Sequence, residues 1–101
     1  MKFLVKVRIP AETGNKAIRD GSLFKKLKEH FAVIKPEAVY FTITRGQRTL
    51  ILVVDLPGAD KLPEFNEPFW INWNAEVTYH VIADMKDFEK ADKYFASLMT
   101  K

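Results

Sequence analysis

The stretch at residues 49–55 constrains the fold more than any other feature of this 101-residue chain. Its side chains form two alternating rows that are both apolar: Leu50, Leu52 and Val54 on one side, Ile51 and Val53 on the other. A strand that is apolar on both sides belongs in the middle of a sheet whose two faces are covered. The sequence therefore predicts a central strand here, with a layer of protein on each side of its sheet.

Three other segments alternate with a period of two and predict further strands, at residues 3–9, 39–43 and 75–81. Pro10 ends the first strand, because proline has no amide hydrogen for a ladder. Residues 45–48 predict a hairpin turn in which Gly46 takes a positive φ. The strands at 39–43 and 49–55 are then hairpin partners.

Helical spacing predicts the remaining elements. One helix is expected over residues 13–31, with its apolar stripe formed by Ala17, Ile18, Gly21, Phe24, Leu27 and Phe31. Gly21 in mid-stripe predicts a bend, or a helix lying close on the sheet. Asp60 is expected to cap a short helix carrying Leu62 and Phe65, which Pro68 stops or kinks. Asp84 is expected to cap a final helix whose inward-facing residues are Met85, Phe88, Ala91, Phe95 and Leu98.

The predicted order is β-α-β-β-α-β-α, which indicates a single α+β domain over residues 1–101. We expect a ferredoxin-like fold with a four-stranded antiparallel sheet and an extra C-terminal helix. Right-handed crossovers would place the first and third strands centrally and the fourth beside the first.

The two faces of this sheet differ in polarity. The face expected under the helices carries Phe3, Val5, Val7, Ile9, Val39, Phe41, Ile43, Val77, Tyr79 and Val81. The second face mixes apolar residues with a polar network of Lys6, Arg8, Tyr40, Glu76 and His80. A soluble monomer avoids such a contiguous exposed patch, so we expect a homodimer through the second face. The network would fix the register between subunits, and its alternative interpretation is an acid–base site.

Several segments resemble the dimeric α/β-barrel superfamily, most closely its uncharacterised small single-domain bacterial members. They are residues 2–10, Val53-Val54-Asp55, Leu62-Pro63-Glu64-Phe65 and Asn74-Ala75-Glu76-Val77. The resemblance implies two sheets that face each other as a barrel, with helices outside. It also implies ligand pockets between helices and sheet, in relatives that include cofactor-free monooxygenases, lactone isomerases and haem-degrading enzymes. No catalytic motif accompanies it, so the catalytic residues are unknown.

The aromatic stretch at residues 69–73 suggests a wall for a flat apolar ligand, and packing in the core is its alternative. The candidate ligand-binding residues are Trp70, Asn72, Trp73 and Tyr79. We therefore expect a protein that binds a small apolar or aromatic molecule. The alternatives are a cofactor-independent oxygenase or isomerase and, more weakly, a nucleic-acid-binding module.

The composition and charge of the chain exclude several kinds of functional site. The chain has no cysteine, which excludes disulfides and thiolate sites. Its two histidines lack carboxylates at ligand spacing, so no metal or cofactor is expected, and His30 is interpreted as a partner for a helix dipole. The net charge of +3 is spread along the chain, and the third strand lacks the aromatic residues of RNA-binding sheets. No signal peptide or membrane span is recognisable, which favours a cytoplasmic protein.

Overall fold

Strand β3 (Gln47–Asp55) lies inside a four-stranded antiparallel sheet in the computed structural model, which describes residues 1–99 of the chain. The other strands are β1 (Lys2–Ile9), β2 (Ala38–Thr44) and β4 (Glu76–Ile82). The helices are α1 (Ala11–Arg19), α2 (Ser22–Ile34), α3 (Leu62–Trp73), α4 (Met85–Lys90) and α5 (Asp92–Met99), and a 3-10 turn at Ala59–Lys61 precedes α3. The last two residues of the predicted domain lie outside the described residues. The chain is an α+β protein, as its mixed periodicities predict.

The strands lie in the order β2-β3-β1-β4, so the predicted central position of β1 and β3 is confirmed. Val5 lies opposite Leu52 on β3 and Tyr79 on β4, and Leu52 lies opposite Val39 on β2. These four side chains form one row across the sheet on the side of the helices, because directly opposite residues share a face.

The core lies between this face and helices α1 to α3. The strand side chains buried in it are Val5, Val7, Ile9, Leu50, Leu52 and Val54. The helix side chains buried against them are Ala17, Leu23, Leu27, Phe65, Phe69 and Trp73. Burying one large apolar side chain stabilises a fold by about 1.5–3 kcal/mol. The two central strands therefore contribute more to stability than the edge strands β2 and β4, neither of which has a buried side chain.

The first helical region divides at Gly21, where the sequence predicted a bend or a close approach to the sheet, so the one helix expected over residues 13–31 is two helices. Gly21 has a φ of 77° and separates α1 from α2. Glycine adopts this left-handed conformation without the steric cost of a Cβ atom. The buried residues do not follow the predicted stripe: His30 on α2 is buried, while Ile18 on α1 and Phe24 on α2 are exposed. His30 belongs to the core and is not the helix-end residue that the sequence suggested.

Helix α3 continues through Pro68 to Trp73, so of the two outcomes expected at this proline, a stop or a kink, the stop is wrong. Proline removes one hydrogen bond from a helix. Phe65, Phe69 and Trp73 recur at intervals of four and are all buried, which holds the helix together on both sides of the proline. Asp60 makes no side-chain cap, because Lys61 occupies the N-cap position of α3.

Helices α4 and α5 form an extension that we call the C-terminal arm (residues 85–99). The expected cap at Asp84 is confirmed: its carboxylate accepts from the Asp87 amide at 2.9 Å, and the Asp87 carboxylate accepts from the Asp84 amide at 3.0 Å. The expected inward stripe is wrong, because no side chain of either helix is buried. The molecule is consequently 61 Å long, with a radius of gyration of 17.2 Å against about 13 Å for a compact chain of this size.

The helix layer also leaves the edges of the sheet uncovered. Phe41 and Ile43 on β2 and Val81 on β4 were expected beneath helices, but all three are exposed. The exposed ring of Phe24 on α2 lies 6.5 Å from the ring of Phe41, measured between centroids. We call Phe24, Phe41 and Ile43 the edge patch.

One substitution tests the helix break at Gly21, through the sign of its effect on the free energy of unfolding. Gly21→Ala is expected to lower the free energy of unfolding by about 1–2 kcal/mol, since alanine is strained in the left-handed region. No atom lies within 4 Å of an added Cβ, so the backbone alone decides the outcome. In a continuous helix the same change would stabilise the protein by about 1 kcal/mol. Urea denaturation measures the difference, with exposed Lys28→Ala as the neutral control.

Candidate functional site: a groove between helix α3 and strand β4

An apolar groove opens where α3 passes the edge strand β4. Its volume is about 270 Å³, and it is lined by Leu62, Pro63, Asn66, Glu67, Trp70 and Tyr79. All but Tyr79 come from α3, where spacings of three and four residues place side chains on one helix face. This face lies beside the one that buries Phe65 and Phe69. The volume lies at the lower end of ligand-binding cavities and suits a molecule with a single ring.

The polar floor of the groove is a pair of side chains, Asn66 and Tyr79. Asn66 is only 6% exposed. The Tyr79 hydroxyl donates a hydrogen bond to Asn66 Oδ1, which orients the amide. Among the residues described, no atom accepts a hydrogen bond from the buried Asn66 Nδ2. An unpaired buried donor costs about 1–3 kcal/mol, so this amide has a capacity for hydrogen bonding that the fold leaves unused.

Tyr79 is held in place by aromatic packing on both sides. Its ring lies 6.1 Å from that of Phe3 and 6.0 Å from that of Phe65. Removal from water disfavours the phenolate and raises the pKa of Tyr79 to about 12. At neutral pH Tyr79 is therefore a hydroxyl donor, and it is not a base.

The groove brings together two of the four residues predicted to bind a ligand. Trp70 and Tyr79 both line it. Trp73 is buried in the core, stacked near Phe69 at 6.3 Å. Asn72 lies on another side of α3, where its Oδ1 accepts a hydrogen bond from Lys26 Nζ at 3.2 Å.

The buried His30 lies behind the groove, on the core side of α3. Its Nε2 is 2.8 Å from the carbonyl oxygen of Phe65, and its ring contacts Phe69 edge-on at 5.0 Å. The carbonyl can only accept, so the histidine Nε2 donates this bond. His30 thus joins α2 to α3 and is a packing residue.

The second face of the sheet, which we call the rear face, carries the predicted polar network. Arg8 pairs with Glu76 on the neighbouring strand and donates to Gln47 Oε1 at 3.2 Å. A shallow cavity of about 290 Å³ brings Lys6 and His80 beside this pair. Tyr40 is not part of it, because it lies opposite Ile51 at the other edge of the sheet.

Sequence reasoning missed the residues of α3 that complete the groove, Asn66 above all. The signal was present in the interval of four between Asn66 and Trp70, which places both on one helix face. It was lost because a stop or a kink of the helix was expected at Pro68.

Comparison with known proteins leaves the family unassigned. No protein-family model matches the chain, and no curated protein is significantly similar to it. Within residues 1–99, no helix is long and apolar enough to cross a membrane. The same residues contain no group of three or more side chains placed to hold a metal ion.

The environment of Tyr79 predicts a dependence of stability on pH. An unfolded tyrosine ionises near pH 10, whereas folded Tyr79 keeps its proton up to about pH 12. The unfolded state therefore binds fewer protons in this window, and the free energy of unfolding falls as pH rises from 10 to 12. Urea denaturation across this range should give a shallower fall for Tyr79→Phe than for the natural chain. The matched control is Tyr94→Phe in the exposed arm, and an unchanged slope in Tyr79→Phe would contradict the assignment.

Proposed function

We propose that this protein binds a small, neutral, apolar molecule with a carbonyl oxygen in the groove between α3 and β4. The single observation that supports it is the unpartnered amide of Asn66 in a wall that is otherwise almost entirely apolar. Ligand sites of this kind combine an apolar lining with a few fixed polar groups. A carbonyl oxygen would accept from Asn66 Nδ2, and the indole of Trp70 would cover the apolar part.

The charge of the lining favours a neutral ligand. Among residues 1–99, Glu67 is the one charged residue that lines the groove, and no lysine or arginine does. A carboxylate or phosphate would meet an acidic group without a cation to offset it, which is unfavourable in a partly desolvated site. We therefore propose a ketone, ester or lactone in preference to a fatty acid or a nucleotide.

A matched pair of probes tests this proposal. Acetophenone and α-methylstyrene have nearly the same shape, but only acetophenone has a carbonyl oxygen. Acetophenone is expected to bind and to shift the side-chain amide signals of Asn66 in NMR spectra. Trp70→Ala should weaken binding about tenfold or more, because it removes most of one aromatic contact.

The control for this experiment is Ile71→Ala. Ile71 follows Trp70 on the same helix but is 78% exposed and does not line the groove. Its substitution should leave the affinity unchanged. Absence of binding by both probes, or equal losses in the two variants, would contradict the proposal.

A second candidate function is a cofactor-independent enzyme of the isomerase or oxygenase type. Glu67 lies in the same groove as the Asn66–Tyr79 pair, so a base and the amide donor of Asn66 would face one carbonyl compound. Such an enzyme would exchange the methyl protons of acetophenone for deuterium in D2O faster than buffer does. Pure binding predicts exchange at the buffer rate.

We also propose that the chain adopts the ferredoxin-like fold of dimeric α/β barrels and forms a homodimer through the rear face. Support comes from the apolar residues of that face: Leu4 lies opposite Val53, Ile51 lies opposite Tyr40, and Ile82 lies on the edge strand β4. Tyr40 is exposed, and the other four are only partly buried in a single chain. A second sheet would cover these residues, and the Arg8–Glu76 pair would enter the interface already neutralised.

The rear-face dimer predicts a strong effect of charge at Leu4. Leu4→Glu places a carboxylate in the proposed interface and should weaken dimerisation at least tenfold in sedimentation experiments. Val33→Glu, an exposed position on α2, should leave the association unchanged. A monomeric natural chain, or a dimer that tolerates Leu4→Glu, would overturn this part of the proposal.

A further inference from the structure

The C-terminal arm presents an apolar stripe that the described part of its own chain does not cover. The stripe consists of Met85, Phe88, Phe95 and Leu98, at intervals of three or seven residues that keep it on one side of the arm. The rings of Phe88 and Phe95 lie 6.3 Å apart, which places α4 and α5 side chains on the same face. All four side chains are exposed.

The base of the arm is fixed, so the stripe is held away from its own core. Asp84 forms a reciprocal capping box with Asp87, and its carboxylate lies 3.6 Å from Lys2 Nζ on β1. The arm leaves the sheet from the end of β4, at the opposite edge from β2. The edge patch on β2 and α2 is therefore out of reach within one chain but available to a second copy.

We infer that the arm of each copy packs on the edge patch of a second copy. Both surfaces are apolar and exposed, and each carries two aromatic rings: Phe88 and Phe95 on the arm, Phe24 and Phe41 on the patch. In a symmetric dimer the contact occurs twice, because the same two patches are used by both copies.

The charges of the two surfaces allow the arm to meet the patch. Residues 85–99 carry three acids and three lysines: Asp87, Glu89 and Asp92 against Lys86, Lys90 and Lys93. The patch is bordered by basic residues, Lys25 and Lys28 next to Phe24 and Arg45 and Arg48 beyond Ile43. A neutral arm meets this basic rim without like-charge repulsion, whereas two patches facing each other would repel. The neutral arm also lacks the basic excess by which amphipathic helices bind anionic membrane surfaces.

The available area is close to that of the smallest specific contacts. The four rings are 45–62% exposed, so each can bury on the order of 100 Å² more. Two symmetric contacts then supply on the order of 800 Å² from rings alone, and Ile43, Met85 and Leu98 add to it. This approaches the ~1,200 Å² of the smallest specific interfaces without any contribution from the rear face.

Engineered cysteines test the contact directly, because the natural chain contains none. A copy with Phe24→Cys mixed with a copy with Phe95→Cys should form a disulfide-linked dimer under mild oxidation. Val33→Cys replaces Phe24→Cys as the control, since it lies on the opposite side of α2 and should not crosslink. Crosslinking of Phe95→Cys with itself would indicate that arms pair with arms. Crosslinking within one copy that carries both cysteines would indicate an intramolecular contact, and either result overturns the inference.

Sedimentation separates this contact from the rear-face dimer. Phe95→Glu and Phe24→Glu should each weaken association at least tenfold, and Val33→Glu should not. Loss of association in Leu4→Glu, with no effect of Phe95→Glu or Phe24→Glu, would overturn the arm contact and leave the rear-face proposal standing. Loss of association in Phe95→Glu and Phe24→Glu, with no effect of Leu4→Glu, would support the arm contact and overturn the rear-face dimer.

Discussion

The burial of one row of side chains on β3 holds the architecture together. Leu50, Leu52 and Val54 are almost completely buried, and the strand that carries them pairs with β1 on one side and β2 on the other. The edge strand β4 joins the sheet only through β1, and α3 packs on the row that this pairing creates. The positions of the groove and of the arm both depend on β1 and β3, because each is attached to the sheet through β4.

The groove exists because α3 uses two neighbouring faces differently. One face places Phe65, Phe69 and Trp73 in the core, which fixes the rotation of the helix. The adjacent face then points past the edge of the sheet, where β4 offers only Tyr79 as a partner. A buried polar pair on an edge is expensive unless both members are satisfied, and here one amide nitrogen is not. This unpartnered amide nitrogen distinguishes the groove from an ordinary depression in the protein surface.

Strand positions and the sheet order could be predicted from the sequence because the period of two and the doubly apolar third strand are strong local signals. The helix boundaries were predicted wrongly because they depend on backbone angles and on tertiary burial, which a local sequence pattern does not show. A glycine that breaks a helix and one that only weakens it look alike until its φ is known, so the stripe through Ile18 and Phe24 was misplaced. At Pro68 tertiary burial on both sides of the proline outweighed one lost hydrogen bond. The groove was only half predicted for that reason, since Asn66 and Trp70 belong together only if the helix continues.

The same central burial explains why the proposed association surfaces lie at the periphery. Helices α1 to α3 cover the two central strands and leave β2, β4 and the rear face with half-exposed apolar residues. The C-terminal arm covers none of these residues and adds a further exposed apolar stripe. A chain of 101 residues buries a smaller share of its surface than a larger domain does, so burial of these apolar residues against a second copy, as proposed, would add to its stability. Two-fold symmetry makes this efficient, because each new apolar contact occurs twice while the loss of rotational and translational freedom occurs once.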